Sequence, residues 1–500
     1  MARCLGWRLV IAGGLALASG ASVGSSGGSS TFAPAPNAAA QAGAAVQAVP
    51  AAEAPSVTKA SPVAEASPDT EAPPVAEAPP SLSGVDAPEL ARLGHFSVGV
   101  RTMSFIHRDQ PDLLGMDPDS ATIPRHDRKL TVDVWYPASV PPDAPREIYH
   151  GSLPSEPPAP PARFSVPGIA VRNAPSAAAG TGYPLVVVSH GYSNSTAAMT
   201  WLTENLASKG YVVAAIEHDD PPITDRTRYP QLLLRRPLDI AYITGALQDA
   251  LAAEHLIDPS RTALVGYSMG GYGVLTAAGA TLDPTGPPTK LVPHGLLMPY
   301  VRGARESRAV IVKPLKAVVA ISPAGGGTLA AWGSEGLSGI RVPLLLIAGN
   351  KDRTVDYATG ARAIFDSATN SRRYLLTFKE AGHALGLNVS PTAMRARLWD
   401  VDWFEDPVWR KERISAINVH FITAFLDRYV KDDTSRNAYL DVRTPDSDDG
   451  VWPAQPSLPY DAYSPSDGAI TVWKGFQRNH AAGLQLLKGA PIAAAAIQPR

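Results

Sequence analysis

The chain has 500 residues and a formal net charge of −2. That is more than one ordinary domain needs, and the near-neutral balance offers no basic surface for nucleic acid. Its only cysteine, Cys4, leaves the rest of the chain without a disulfide or a thiolate metal site, so an apolar core must hold the fold.

Residues 1–21 read as a secretory signal: Arg3 and Arg8 form a basic start, Leu9 to Ala18 a short apolar core, and Ser19-Gly20-Ala21 a small-residue cleavage site. The apolar core falls short of the roughly 20 residues of a membrane span. Export to the periplasm or the medium is expected, with no stable span after cleavage.

Residues 22–90 are mostly Ala, Pro, Ser, Gly, Val and Glu. Val-Ala-Glu-Ala recurs at Val63 and Val75, and Glu-Ala-Pro at Glu53, Glu71 and Glu77. Such a stretch cannot bury enough apolar surface to order itself and is expected to be a disordered, extended spacer.

A folded domain is expected over residues 91–430. Phe96 to Val100 and Leu130 to Tyr136 alternate like edge strands and suit the antiparallel start of a sheet. Residues 141–184, rich in Pro, Ala and Ser, read as loop. Then strands at Leu185–Ser189, Tyr211–Ile216, Thr262–Val265, Ala317–Ile321, Leu344–Ala348 and Tyr374–Phe378 alternate with helices. The helices are Thr200–Lys209, stopped by Gly210, then Pro237 to about Leu256, Gly271–Ala278 and Tyr357–Ser367. This rhythm predicts an α/β fold with a mostly parallel central sheet and helices on both faces.

Two stretches stand outside it. Residues 281–313 form a long connection carrying Lys290, His294, Arg302, Arg305 and Arg308, suited to a lid, a substrate wall or a solvated insertion. Residues 431–500, with Trp452, Tyr460, Tyr463 and Trp473, have few regular runs and are expected to wrap the domain.

Gly266-Tyr267-Ser268-Met269-Gly270 reads G-x-S-x-G between an apolar strand and a helix, the pattern of a nucleophile elbow. Serine is a poor nucleophile at neutral pH and needs a base, an acid that orients the base, and donors for an oxyanion. Asp352 follows the strand ending at Ala348, with Asp356 in reserve, and His383 follows the strand ending at Phe378. The order serine, acid, histidine is the one this type of elbow uses. His420 and His480 also follow Asp352, but His420 lies in an amphipathic helical stretch and His480 near the C-terminus. Oxyanion donors are expected from the N–H of Met269 and of Tyr192, in His190-Gly191-Tyr192-Ser193. His190 reads as structural. Activity is expected to rise through roughly pH 6 to 7, where an imidazole base loses its proton.

Trp201 and Trp332 are candidates for an acyl pocket, with a core role equally open, and His218, in Glu217-His218-Asp219-Asp220, for a substrate wall or ion site. Asp446-Ser447-Asp448-Asp449-Gly450 has the wrong acidic spacing for a calcium loop and reads as a polar turn. No metal or cofactor is called for, and the oligomeric state is open.

With these residues placed, the chain resembles the α/β-hydrolase superfamily. Within it the chain is similar to the platelet-activating-factor acetylhydrolase and dienelactone-hydrolase-like group, and to bacterial polyester hydrolases and cutinases. The resemblance spans about Phe96 to Val430. It rests on Val98-Gly99-Val100-Arg101, Asp133 to Pro137, Ser189 to Ser193, Leu206 to Val213, Arg236 to Ile240 and Gly266 to Gly271. Dienelactone hydrolases use cysteine, so Ser268 departs from that substrate class. The resemblance implies an exported serine hydrolase of carboxylic esters, whose substrate is a small molecule, a lipid or a polymer. A phospholipase A2-like acetylhydrolase, an acyltransferase and a non-catalytic surface-binding protein on the same fold are the alternatives.

Overall fold

Short runs of Val, Leu, Ile and Ala that bury both faces build the centre of the protein; every side chain of Ala317–Ile321 is fully buried. The computed structural model describes residues 87–492, apart from 114, 116–121, 154–159, 179, 224, 396–397, 453–468 and 478–480. The expected signal with Cys4, the spacer up to residue 86, and Tyr460, Tyr463 and His480 lie outside the described residues.

The strands are β1 Ser97–Pro111, β2 Arg125–Ala138, β3 Ile148–Leu153, β4 Ala162–Pro167, β5 Val171–Arg172 and β6 Tyr183–Ser189. They continue with β7 Val212–Glu217, β8 Ile257–Tyr267, β9 Ala317–Ile321, β10 Leu344–Gly349, β11 Arg373–Phe378 and β12 Leu484–Gly489. Ten of them form one sheet in the order β12-β11-β10-β9-β8-β6-β7-β2-β1-β5. From β7 through β11 neighbours run parallel. The β1–β2, β2–β7 and β11–β12 pairs are antiparallel.

Four longer helices cover the sheet: α1 Thr200–Ser208, α2 Tyr229–Ala253, α3 Met269–Ala277 and α4 Lys411–Tyr429. Leu202 and Leu206 of α1 and Phe421 and Phe425 of α4 share one apolar core. Leu247 and Leu251 of α2 and Leu275 of α3 share the core on the other face. No helix among the described residues is long and apolar enough to cross a membrane. This is the α/β-hydrolase fold, and its strand order reverses around β6. The crevice outside the C-terminal ends of β6 and β8 is therefore where such a sheet can receive a ligand.

Four details differ from the sequence reading. First, residues 141–184 were expected as loop but contain the β3–β4 hairpin. Its apolar residues, Tyr149, Leu153, Phe164 and Val166, are buried, but they are spread thinly through a Pro-rich stretch that hides a short period-two pattern.

Second, α2 starts earlier than expected, at Tyr229, with Pro230 in the first turn and Pro237 inside the helix. A proline there supplies no N–H for the carbonyl four residues back. That carbonyl, Leu233 O, accepts instead from the Tyr272 hydroxyl at 2.8 Å.

Third, the Tyr357–Ser367 helix is broken. A turn at Tyr357–Arg362 departs from helical geometry at Gly360 (φ −95°, ψ −106°), and Ala363–Ser367 follows as α-helix. Fourth, β11 is not the last strand. Leu484 and Leu486 of β12 bury themselves along its edge, and Trp473 and Phe476 of the same extension pack edge-on against Phe421 and His420.

Residues 281–313 lie against the domain through buried Val292, Leu297, Val301, Val310 and Val312. Gly210 ends α1 with φ +84°.

A buried polar network links β2 and α2 to the C-terminal ends of β6 and β7. Arg128 of β2 grips Asp239 of α2 with two bonds of 3.0 and 2.9 Å and donates to His218 O at 2.5 Å. His218 Nδ1 meets Asp239 Oδ2 at 3.0 Å, and its Nε2 meets Ser189 Oγ at 2.9 Å. Burial, aided by Arg236, pushes His218 down to about 4, so the ring is neutral. Nδ1–H then donates to Asp239, and Nε2 accepts from Ser189.

Two outcomes follow from these contacts. Asp239→Asn leaves the Arg128 guanidinium buried without its carboxylate and is expected to cost about 3–5 kcal/mol; an unchanged melting temperature would contradict the ion-pair account. Tyr272→Phe strands Leu233 O and is expected to cost about 1–3 kcal/mol, read as a lower urea midpoint at constant m-value.

Candidate active site

At the end of β8 the chain turns at Ser268, whose φ of 53° and ψ of −115° are strained for a residue with a side chain. Backbone bonds hold it there: Ser268 N donates to Ile321 O at 2.9 Å, and Ser268 O accepts from Ala324 N at 2.9 Å and Tyr272 N at 3.2 Å. The flanking glycines leave no choice of residue. A Cβ on Gly266 would stand 2.3 Å from Gly270 O, and one on Gly270 would stand 2.0 Å from Ser189 O.

The structure brings Ser268, His383 and Asp352 into one hydrogen-bonded series. His383 Nε2 lies 3.0 Å from Ser268 Oγ, and His383 Nδ1 lies 2.7 Å from Asp352 Oδ2. The Asp352 side chain is 1% exposed and that of His383 18%. The other Asp352 oxygen accepts from Thr354 N at 2.8 Å and Val355 N at 3.1 Å. Burial opposes ionisation of Asp352, but His383 and these two amides outweigh it and hold the carboxyl below its ordinary range. The ionised acid fixes the proton on Nδ1, so the Nε2 lone pair faces the serine. Asp356 instead accepts from Thr359 N and Oγ1 at 2.8 and 2.9 Å and caps the next turn.

The loop that carries His383 is anchored almost residue by residue. Gly382 N donates to Asp406 Oδ2 at 2.7 Å, and the Tyr267 hydroxyl donates to His383 O at 3.3 Å. Lys411 Nζ donates to Ala384 O. Asn418 Nδ2 reaches Leu385 O at 2.8 Å, and Trp201 Nε1 reaches Gly386 O at 3.0 Å. Lys411 is 1% exposed, and burial pushes its ammonium down to about 7 against the pull of Glu405, Asp406 and Glu412. Asp406, Lys411 and Asn418 carry no short motif, so no sequence signal marks them.

On the other side of the serine, Met269 opens α3, so its N–H is one of the first-turn donors that a helix leaves without a partner. Tyr192 follows Gly191 at the end of β6. Arg236 Nη1 donates to His190 O at 2.5 Å, and Nη2 donates to Gly191 O at 3.2 Å. Ser193 N donates to Asp220 Oδ2 at 3.0 Å, and Asp220 pairs with Arg236. Among the described residues no acceptor takes the N–H of Tyr192 or Met269.

The remaining candidates lie apart from this series. Trp332 is buried, stacks on Tyr272 and donates to Thr276 Oγ1 at 3.0 Å. Trp201 is buried and spends its indole N–H on the histidine loop. His218 is locked in the Asp239 network, and His190 Nε2 faces Glu217 Oε1 at 3.2 Å. His420 is enclosed and accepts from Leu90 N at 3.2 Å. Asp446 and Asp448 both pair with Lys379 Nζ, at 2.6 and 2.7 Å. Among the described residues no group of three His, Cys, Asp or Glu side chains is placed to hold a metal ion.

Comparison with known proteins adds a direction. A family model described as PET hydrolase-like matches residues 170–284, which include Tyr192 and Ser268 but neither Asp352 nor His383. "Cutinase 2" of Thermobifida cellulosilytica is 28% identical over 190 residues, 38% of this chain and 55% of that protein. "Cutinase est2" of Thermobifida alba is 35% identical over 102 residues, 20% of this chain and 32% of that protein. The chain thus spans about half the length, or less, of the curated relatives it matches. A solved ferulic acid esterase from Streptomyces cinnamoneus overlaps with a TM-score of 0.45 and 20% identity, covering 69% of this chain and 94% of that one. The sheet order, the elbow at Ser268 and the sequence matches place the chain in the α/β-hydrolase superfamily, with its similarity directed toward polyester hydrolases and cutinases.

Proposed function

We propose that the protein is a serine hydrolase of carboxylic esters. The observation that carries this reading is the series Ser268–His383–Asp352 at a strained elbow. Ser268 Oγ attacks the acyl carbon while its proton passes to His383 Nε2. Asp352 stabilises the imidazolium that forms. The N–H groups of Met269 and Tyr192 take the oxyanion. When the tetrahedral intermediate collapses, the C–O bond breaks and His383 protonates the departing alcohol. Water then attacks the acyl-enzyme by the same path in reverse roles.

The matched cutinases favour an ester of a polymer or an apolar acyl chain over a short-acyl phospholipid. Export from a signal at residues 1–21, with residues 22–90 as a spacer, completes this reading. A chain-length profile on p-nitrophenyl esters, run beside a polyester film and a phospholipid, separates the substrate classes. Product analysis with added alcohol separates hydrolase from acyltransferase.

Ser268→Ala is expected to lower kcat by at least about 10⁴-fold and to abolish labelling by a fluorophosphonate probe. A folded wild-type protein that neither labels nor hydrolyses any of these esters would support the binding-protein alternative instead. Because Asp352 is held below the ordinary carboxylate range, it stays ionised as pH falls through the acid limb. Log kcat/KM should therefore rise with a slope of about one, set by a single base; a slope of about two would mean that the acid titrates with it.

A further inference from the structure

The peptide unit between Gly191 and Tyr192 is planar and trans, so its C=O and N–H point in opposite directions. Gly191 O is held from the interior side by Arg236 Nη2 at 3.2 Å and by His190 Nδ1 at 2.7 Å. The Tyr192 N–H on the same plane is therefore turned away from Arg236. The next peptide is held as well, since Ser193 N donates to Asp220 Oδ2 at 3.0 Å, and Ser193 has a left-handed φ of 56°. The preceding carbonyl, His190 O, accepts from Arg236 Nη1 at 2.5 Å. One guanidinium and one carboxylate, with the His190 ring beside them, thus fix the chain on both sides of Tyr192. The same stretch lies against the elbow, where Gly270 leaves no room for a Cβ beside Ser189 O or His190 O.

The pair is buried, with side chains 1% and 5% exposed. A buried ion pair adds little stability over a well-packed apolar pair. Its place behind the Tyr192 peptide gives it another use.

We propose that the Arg236–Asp220 pair positions the oxyanion hole, setting the direction of the Tyr192 N–H without touching substrate or nucleophile. This rests on the serine-hydrolase reading above. Arg236 and Asp220 are then positioning residues, and their contribution falls on the transition state and not on substrate binding. Among the described residues Arg128 bonds only Asp239 and the His218 carbonyl and reaches the Tyr192 peptide only at second hand, through His218 and His190, so it serves as the internal control.

The test uses the full-length protein with p-nitrophenyl butyrate, and phenylboronic acid as a tetrahedral analogue. Arg236→Lys and Asp220→Asn are expected to lower kcat by about 10- to 100-fold with KM within about twofold. Both should weaken phenylboronic acid by the factor lost in kcat/KM. Arg128→Lys should lower the melting temperature while kcat stays within about twofold. Should Arg236→Lys fail to fold, the near-isosteric Asp220→Asn alone decides. A folded variant that keeps wild-type kcat, or that raises KM at constant kcat, overturns the positioning role. A wild type no more active than Ser268→Ala overturns the hydrolase reading itself, so the two failures are distinct.

Discussion

The structure depends on how closely the turn at Ser268 approaches the end of β6. Gly270 packs directly on Ser189 O, so the Ser268 turn and the loop that follows β6 are one backbone assembly, not two loops that happen to meet. That approach requires β6 and β8 to be parallel neighbours, in register from Leu185 opposite Thr262 to Ser189 opposite Gly266. The strain at Ser268 is tolerated because the turn is bonded on three sides: to Ile321 at the end of β9, to Ala324 just beyond it, and to Tyr272 in α3. Everything else in the site is arranged around this fixed point.

Two loops face it, and each is braced from behind by a buried charge. Arg236 holds the carbonyls of the β6 loop, and Lys411 holds the Ala384 carbonyl of the histidine loop. A backbone carbonyl that turns inward must find a donor, and a long cationic side chain supplies one without a further element of secondary structure. The two braces differ in their electrostatics. Arg236 is matched by Asp220, whose carboxyl burial would push up but Arg236 holds below its ordinary range. Lys411 has only partial compensation, and burial brings it down to about 7. The Asp220 carboxylate is therefore stabilised in its charged form, while the histidine loop rests on an ammonium that burial brings down to about 7.

What was legible in the sequence is what is local. The strand, serine and helix of the elbow are contiguous, so spacing and composition alone carry their geometry. Strands such as Ala317–Ile321 were legible because burial on both faces demands unbroken apolar runs. Contacts across the sequence were not. Arg236 and Asp220 are 16 residues apart, Lys411 and Ala384 27, and no pattern in either segment announces the partner. Pro237 was read as the start of a helix because proline suits the first turn; the Tyr272 hydroxyl that relieves Leu233 O, and lets the helix begin earlier, lies 39 residues away. Trp201, Trp332 and His218 attract notice by residue type, yet burial and hydrogen bonds turn all three inward.

The C-terminal extension shows the same long-range logic at the sheet's edge. β12 covers β11, which would otherwise present a row of unpaired backbone groups. Its effect reaches the site because β11 runs directly into the histidine loop. Lys379, the first residue after β11, donates its N–H to Gly483 O at 2.9 Å, while its Nζ pairs with Asp446 and Asp448. The Trp409 indole donates to Lys379 O at 2.7 Å, and three residues later Asp406 takes over at Gly382. The loop is thus gripped at its root by the extension and along its length by α4 and the segment before it. His383 is presented to Ser268 from a strand that the extension completes, so residues far beyond Asp352 and His383 belong to the same scaffold as the candidate site.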